Sequence, residues 1–156
     1  MLQLRKATAS DIPAMLRIMQ PGINDESLLP RTAWQIAERL RDYTLAVADG
    51  TLLGLGSVGL VAPHLAEVGA LVATDVAAED LLIAALLAEA QDMGVDRAFV
   101  LAANDTAWAR NGFTRTSLSA LPEKRDRQCL RCPRAPRCRQ VALEAQIEPL
   151  QLRAAG

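Results

Sequence analysis

Hydrophobic and polar positions divide the chain into short segments of two periods. Leu2 and Leu4 alternate with polar neighbours, so Leu2 to Ala7 reads as a half-buried strand. Thr8-Ala9-Ser10-Asp11 supplies helix-starting residues, and Pro13 fits a first turn. Ile12, Met15, Leu16 and Met19 then recur at helical spacing, and Pro21-Gly22 is expected to end that helix. After a polar loop, a second helix is predicted over about Arg31 to Arg41, with Ala33, Ile36, Ala37 and Leu40 inward. Tyr43, Leu45 and Val47 alternate with smaller residues up to Asp49-Gly50, and an apolar run from Leu52 to Val61 follows. Asp-Gly between two such runs predicts a hairpin, because a type I′ turn needs positive φ at both central residues.

Pro63-His64 marks a second turn, and Glu67 to Thr74 is apolar enough for a central strand. A helix is predicted from about Ala78 to Met93, with Leu82, Ile83, Leu86, Leu87 and Ala90 as its stripe and Gly94 as its stop. Arg97 to Ala102 is a short apolar strand, so strand, helix and strand form a parallel crossover. Asn104 to Asn111 fits a short helix ended by Gly112. Phe113 to Leu118 and Val141 to Ile147 read as closing strands. With no repeat and no linker, residues 1–150 form one domain and 151–156 a frayed tail.

Composition narrows the class. The chain has 156 residues, 51% of them hydrophobic, which supports a buried core without disulfides or metal and excludes a disordered chain. No apolar run approaches the 18 or so residues of a membrane helix, and the start lacks the apolar core of a secretory signal. A soluble, cytoplasmic protein is the expectation. The net charge of −1 hides two opposed blocks. Residues 123–139 carry seven bases and two acids, a balance of +5, and the rest of the chain balances at −6. All three cysteines, Cys129, Cys132 and Cys138, lie in the basic block.

The element order β-α-α-β-β-β-α-β-α-β-β resembles the GCN5-related N-acetyltransferase (GNAT) superfamily. Leu4 to Ala14 looks like the opening strand and helix of that superfamily. Leu28-Leu29-Pro30-Arg31-Thr32, Tyr43-Thr44, Phe99-Val100-Leu101, Trp108, Asn111-Gly112-Phe113 and Leu121-Pro122 resemble the acetyltransferase domain of N-acetylglutamate synthases. The resemblance runs over about residues 2–145. It implies one α/β (α+β) domain with a mixed sheet of about six to seven strands flanked by helices.

It also implies acyl transfer from acetyl-CoA to an amino acid or other small amine. A general base would take the amine's proton, and a backbone N–H would stabilise the thioester oxygen. Glu67 matches the base position. Leu71, Val72 and Ala73 match the strand edge that pairs with the pantetheine arm, with Asn104 beyond the next strand. Arg31, and more loosely Arg137, match positions that grip the acceptor carboxylate. Solvated side chains are the alternative for Glu67 and both arginines.

The pyrophosphate loop departs from the family pattern. Thr74-Asp75-Val76-Ala77-Ala78-Glu79-Asp80-Leu81 has no glycine and no arginine and is several residues short, and Glu79 and Asp80 would repel a diphosphate. The usual tyrosine after the last helix is missing too, leaving Asp105 or Thr106 to protonate the leaving thiolate. An alternative is therefore a catalytically lapsed relative that binds zinc, an iron–sulfur cluster or a partner through Cys129, Cys132 and Cys138. Their C-x2-C-x5-C spacing suits thiolate ligands, and the neighbouring arginines would favour thiolate. The fourth ligand is missing, and His64 is expected in an exposed turn away from this loop. Redox-reactive or unpaired thiols are the other readings. Nucleic acid is disfavoured, because the basic block has no aromatic residue to stack on a base. A homodimer is the open assembly.

Overall fold

Asp49 and Gly50 adopt φ of 50° and 74°, closing the predicted two-residue hairpin between β2 (Tyr43–Ala48) and β3 (Thr51–Ala62). The Pro63-His64 turn returns the chain into β4 (Leu65–Ala73), which starts two residues earlier than the sequence pattern indicates. The computed structural model describes residues 1–148 and 154–155, so the tail expected over 151–156 falls mostly outside the described residues. With β1 (Gln3–Lys6), β5 (Arg97–Ala102), β6 (Thr114–Thr116) and β7 (Val141–Gln146), the described residues form one seven-stranded sheet. Its order is β1-β2-β3-β4-β5-β7-β6. Only β4 and β5 pair in parallel, across the crossover that α3 (Val76–Asp92) makes. Every other neighbouring pair is antiparallel.

The sheet is covered on both faces. Ile83, Leu86 and Ala90 of α3 pack on Val58, Ala66, Val68, Val100 and Leu143. Close contact is possible there because Gly54 and Gly56 have no side chain: a Cβ on Gly54 would lie 2.9 Å from a Leu82 methyl, and one on Gly56 2.6 Å from a Leu86 methyl. On the other face α1 (Ile12–Asn24) and α2 (Ala33–Glu38) bury Met15, Met19 and Ile36 against Tyr43, Leu45 and Leu55. Full burial of each such side chain stabilises by about 1.5–3 kcal/mol. The short helix α4 (Thr106–Arg110) carries Trp108, which meets Phe113 edge to face at 5.1 Å. The helix α5 (Pro122–Arg127) opens the basic block.

Two helix expectations are corrected. α1 runs through Pro21-Gly22 to Asn24. Proline cannot donate, but its carbonyl still accepts, and Asp25 N–H reaches Pro21 O at 3.1 Å. Gly22 serves packing instead, since a Cβ there would meet the Leu28 side chain at 2.9 Å. α2 is shorter than predicted. The Thr32–Gln35 capping box starts it, only Ile36 is buried, and Ala33 and Ala37 face solvent. No helix among the described residues is long and apolar enough to cross a membrane.

Candidate functional site

β4 and β5 stay together for only three residue pairs: Leu65 with Arg97, Ala66 with Ala98 and Glu67 with Phe99. Beyond Glu67 and Phe99 the strands part. Ala70 sits at φ 51°, and the β3–β4 register shifts between Leu55 and Ser57. Such a bulge inserts a residue and re-aims the side chains after it. Ala66 and Val68 before it pack with the α3 cluster, Ala70 turns to the α1 side, and Leu71 and Ala73 return to the α3 side.

The gap is a cleft of about 170 Å³. Gly69, Ala70 and Leu71 line one wall, Val100 to Asn104 the other, and Ser27, Leu28, Glu79, Ala107 and Trp108 complete it. Leu71 and Asn104 both line this cleft. Val72 and Ala73 do not line it; on their β3 edge they pair with Leu55 and Gly54, and their side chains join the clusters on the two faces of the sheet. A larger hollow of about 630 Å³ over residues 37–42, Gly59, Leu60 and Met93 is lined by none of the implied site residues.

Glu67 stands at the last paired position before the strands part. A lysine of the basic block, which the sequence pattern does not link to Glu67, meets it. Lys124 Nζ of α5 lies 3.0 Å from Glu67 Oε1 and 2.7 Å from Oε2. Its approach to Oε2 is off the hydrogen-bond direction, so that oxygen is buried without a directed partner. Lys124 also donates to Gln128 Oε1 and is 8% exposed. Of the chain's 17 lysines and arginines only Lys6 and Lys124 are lysines, so a compact ammonium sits where an arginine-rich block could have placed a fork.

The basic block beyond α5 is latched to the cleft rim. Arg134 Nη1 donates to Leu28 O at 2.9 Å, and Gln140 Nε2 to Ser27 O at 3.0 Å. His64 corrects the expectation that its turn lies apart: its Nε2 is 3.3 Å from Glu123 Oε1 on α5. Among the described residues no group of three or more His, Cys, Asp or Glu is placed to hold a metal ion. Cys129, Cys132 and Cys138 are free, so the ligand set expected from their spacing is not formed. The expectation of thiolate fails at Cys129 as well. Burial pushes its thiol up, outweighing the opposing pull of Lys124.

Arg31 and Arg137 engage different partners. Arg31 faces the Tyr43 hydroxyl, whose phenol burial pushes up while Arg31 pulls it down, and its Nη1 donates to Leu29 O at 3.4 Å. Arg137 lies 3.4 Å from Glu26 in an exposed pair, and neither arginine lines the cleft. At the far mouth, Asp105 accepts from Arg115 Nε at 3.0 Å, and Thr106 N–H donates to Asn104 Oδ1 at 3.2 Å.

A mixed seven-stranded sheet whose parallel central pair splays past a bulge, with α3 crossing one face, is the GNAT fold. No family model matches the chain. Sequence relatives include an uncharacterized N-acetyltransferase of Chlorobaculum tepidum, 26% identical over 144 residues, covering 90% of this chain and 93% of the relative. An amino-acid acetyltransferase of Pasteurella multocida is 27% identical over 128 residues, 78% of this chain but 29% of the relative. The chain therefore spans less than a third of the amino-acid acetyltransferases it matches. Among solved structures, N-acetylglutamate synthase from Neisseria gonorrhoeae, complexed with coenzyme A and N-acetyl-glutamate, superposes with a TM-score of 0.84. That match has 23% identity and covers 95% of this chain and 35% of the synthase. Fold and relatives together support a protein of the GNAT superfamily.

Proposed function

We propose that the chain is an N-acyltransferase that moves an acetyl group from the pantetheine thioester of acetyl-CoA to the amine of an amino acid or similar small amine. The observation that carries this reading is the splay of β4 from β5 just past Glu67, which leaves backbone groups of β4 unpaired along a cleft. A pantetheine arm has amides that can pair with such a strand edge, and an N–H of that edge can donate to the thioester oxygen as charge develops there. The acetyltransferases among the relatives and the coenzyme A-bound synthase support the same donor.

Glu67 would accept the amine's proton, directly or through water, as the new N–C bond forms and the thioester C–S bond breaks. The pantetheine thiolate leaves and takes a proton from solvent. Lys124 fixes the Glu67 carboxylate, and the acceptor amine must share that carboxylate with it. Arg31, on the connection between α1 and α2, would take the acceptor carboxylate. Acetyl transfer to a panel of amino acids, measured for wild type and Glu67→Gln, tests the reading. Turnover in the variant should fall by about 10²–10⁴-fold with its circular dichroism unchanged. Equal turnover in both proteins would reject Glu67 as the base.

A further inference from the structure

Coenzyme A has two halves, and the structure receives them differently. Only Thr74 and Asp75 connect β4 to α3. Thr74 N–H donates to Leu53 O at 2.8 Å, so the chain stays tied to β3 up to the residue before the helix cap. Two residues without glycine cannot fold into the nest of inward-pointing N–H groups that a diphosphate needs.

The helix end is also occupied by the chain itself. The Asp75 carboxylate accepts from Ala78 N–H at 2.8 Å, filling the position where an amide at a helix N-terminus would meet an anion. Glu79, one turn in, lines the cleft. Arg110 reaches this helix end, but its Nη2 is 2.9 Å from Glu79 and 2.8 Å from Asp80. Arg110, with Asn111, holds the Asp80 carboxyl below the usual carboxylate range, so this guanidinium is committed to the protein's own acids. Three carboxylates and one engaged arginine face the place where two phosphates would lie.

We infer that the cleft recognises its donor by the acyl-pantetheine arm alone, and that the diphosphate of coenzyme A contributes nothing to binding. The substrate class is then an acyl thioester of pantetheine, with or without a nucleotide, and the transfer step is the one given above for either donor. This inference rests on the acyltransferase reading and narrows it.

Calorimetric titration of the intact protein with acetyl-CoA, S-acetyl-pantetheine and 3′-phospho-ADP separates the halves. The two thioesters should bind with Kd values within about tenfold of each other, and 3′-phospho-ADP should give no heat at millimolar concentration. Each charge-assisted hydrogen bond to a phosphate is worth about tenfold or more. Acetyl-CoA binding more than about tenfold tighter than S-acetyl-pantetheine, or saturable binding of 3′-phospho-ADP, overturns the inference and leaves the acyltransferase reading standing. Binding of neither thioester overturns both.

Discussion

Lys124→Met is the most informative perturbation, because Lys124 joins the basic block to Glu67, a contact that the sequence pattern does not show. At 2.7 Å two unit charges attract by about 6 kcal/mol at an effective dielectric of 20. Desolvation of the lysine, whose side chain is 11% exposed, consumes much of this. The Glu67 side chain is 30% exposed and partly screened, which lowers it again. A net coupling of about 1–3 kcal/mol remains. Urea unfolding of wild type, Lys124→Met, Glu67→Gln and the double variant measures it as a double-mutant cycle. The single lysine change should cost more than the same change made in the Glu67→Gln background, because only the former strands a half-buried carboxylate. A coupling below about 0.5 kcal/mol would refute the ion pair as the device that seats α5 on β4.

Other expectations follow from the same geometry. Arg5 holds the Asp11 carboxyl well below the usual carboxylate range through hydrogen bonds of 2.7 and 2.8 Å, with Thr8 adding to the effect. A carboxylate depressed in the folded state stabilises above its unfolded value, and that contribution disappears as pH falls through the folded one. Asp11→Asn should therefore cost about 1–2 kcal/mol at neutral pH, and chemical denaturation should show the difference shrinking below about pH 4. Cys129 carries a raised pKa, so less of it is thiolate near neutrality. Peptide mass spectrometry after timed iodoacetamide treatment should find Cys129 labelled about tenfold more slowly than the exposed Cys138, and equal rates would contradict its burial.

What the sequence carried was local. The Asp49-Gly50 hairpin, the Pro63-His64 turn and the stop at Gly94 each need only neighbouring residues, and each formed where expected. The lack of glycine and arginine from Thr74 to Leu81 is local in the same sense, and only Thr74 and Asp75 connect β4 to α3. The bulge at Ala70 was not legible. An alanine at positive φ leaves no trace in a hydrophobic pattern; it lies between the β3 pairs Ser57–Gly69 and Leu55–Val72 and is buried in the α1-side cluster. Lys124 was counted as one base among seven, because its partner lies 57 positions away. Pro21 misled in the other direction, since the helix runs three residues past it and its carbonyl still accepts from Asp25 N–H. The cysteine spacing met a different limit. Thiols at ligand spacing become a site only when the loop folds their sulfurs together, and here 3₁₀ turns at Cys129–Arg131 and Ala135–Arg137 lie along the loop without assembling one.

The central claim is that the cleft between β4 and β5 receives the donor, and one of the chain's two tryptophans stands in it. Trp108 lines the cleft and is 4% exposed, whereas Trp34 is 80% exposed and lines neither hollow. In a Trp34→Phe protein, emission comes from Trp108 alone. Titration with acetyl-CoA should then change that emission along a saturable curve, with S-acetyl-pantetheine producing the same end point. An emission spectrum that stays fixed up to millimolar acetyl-CoA would contradict donor binding in this cleft.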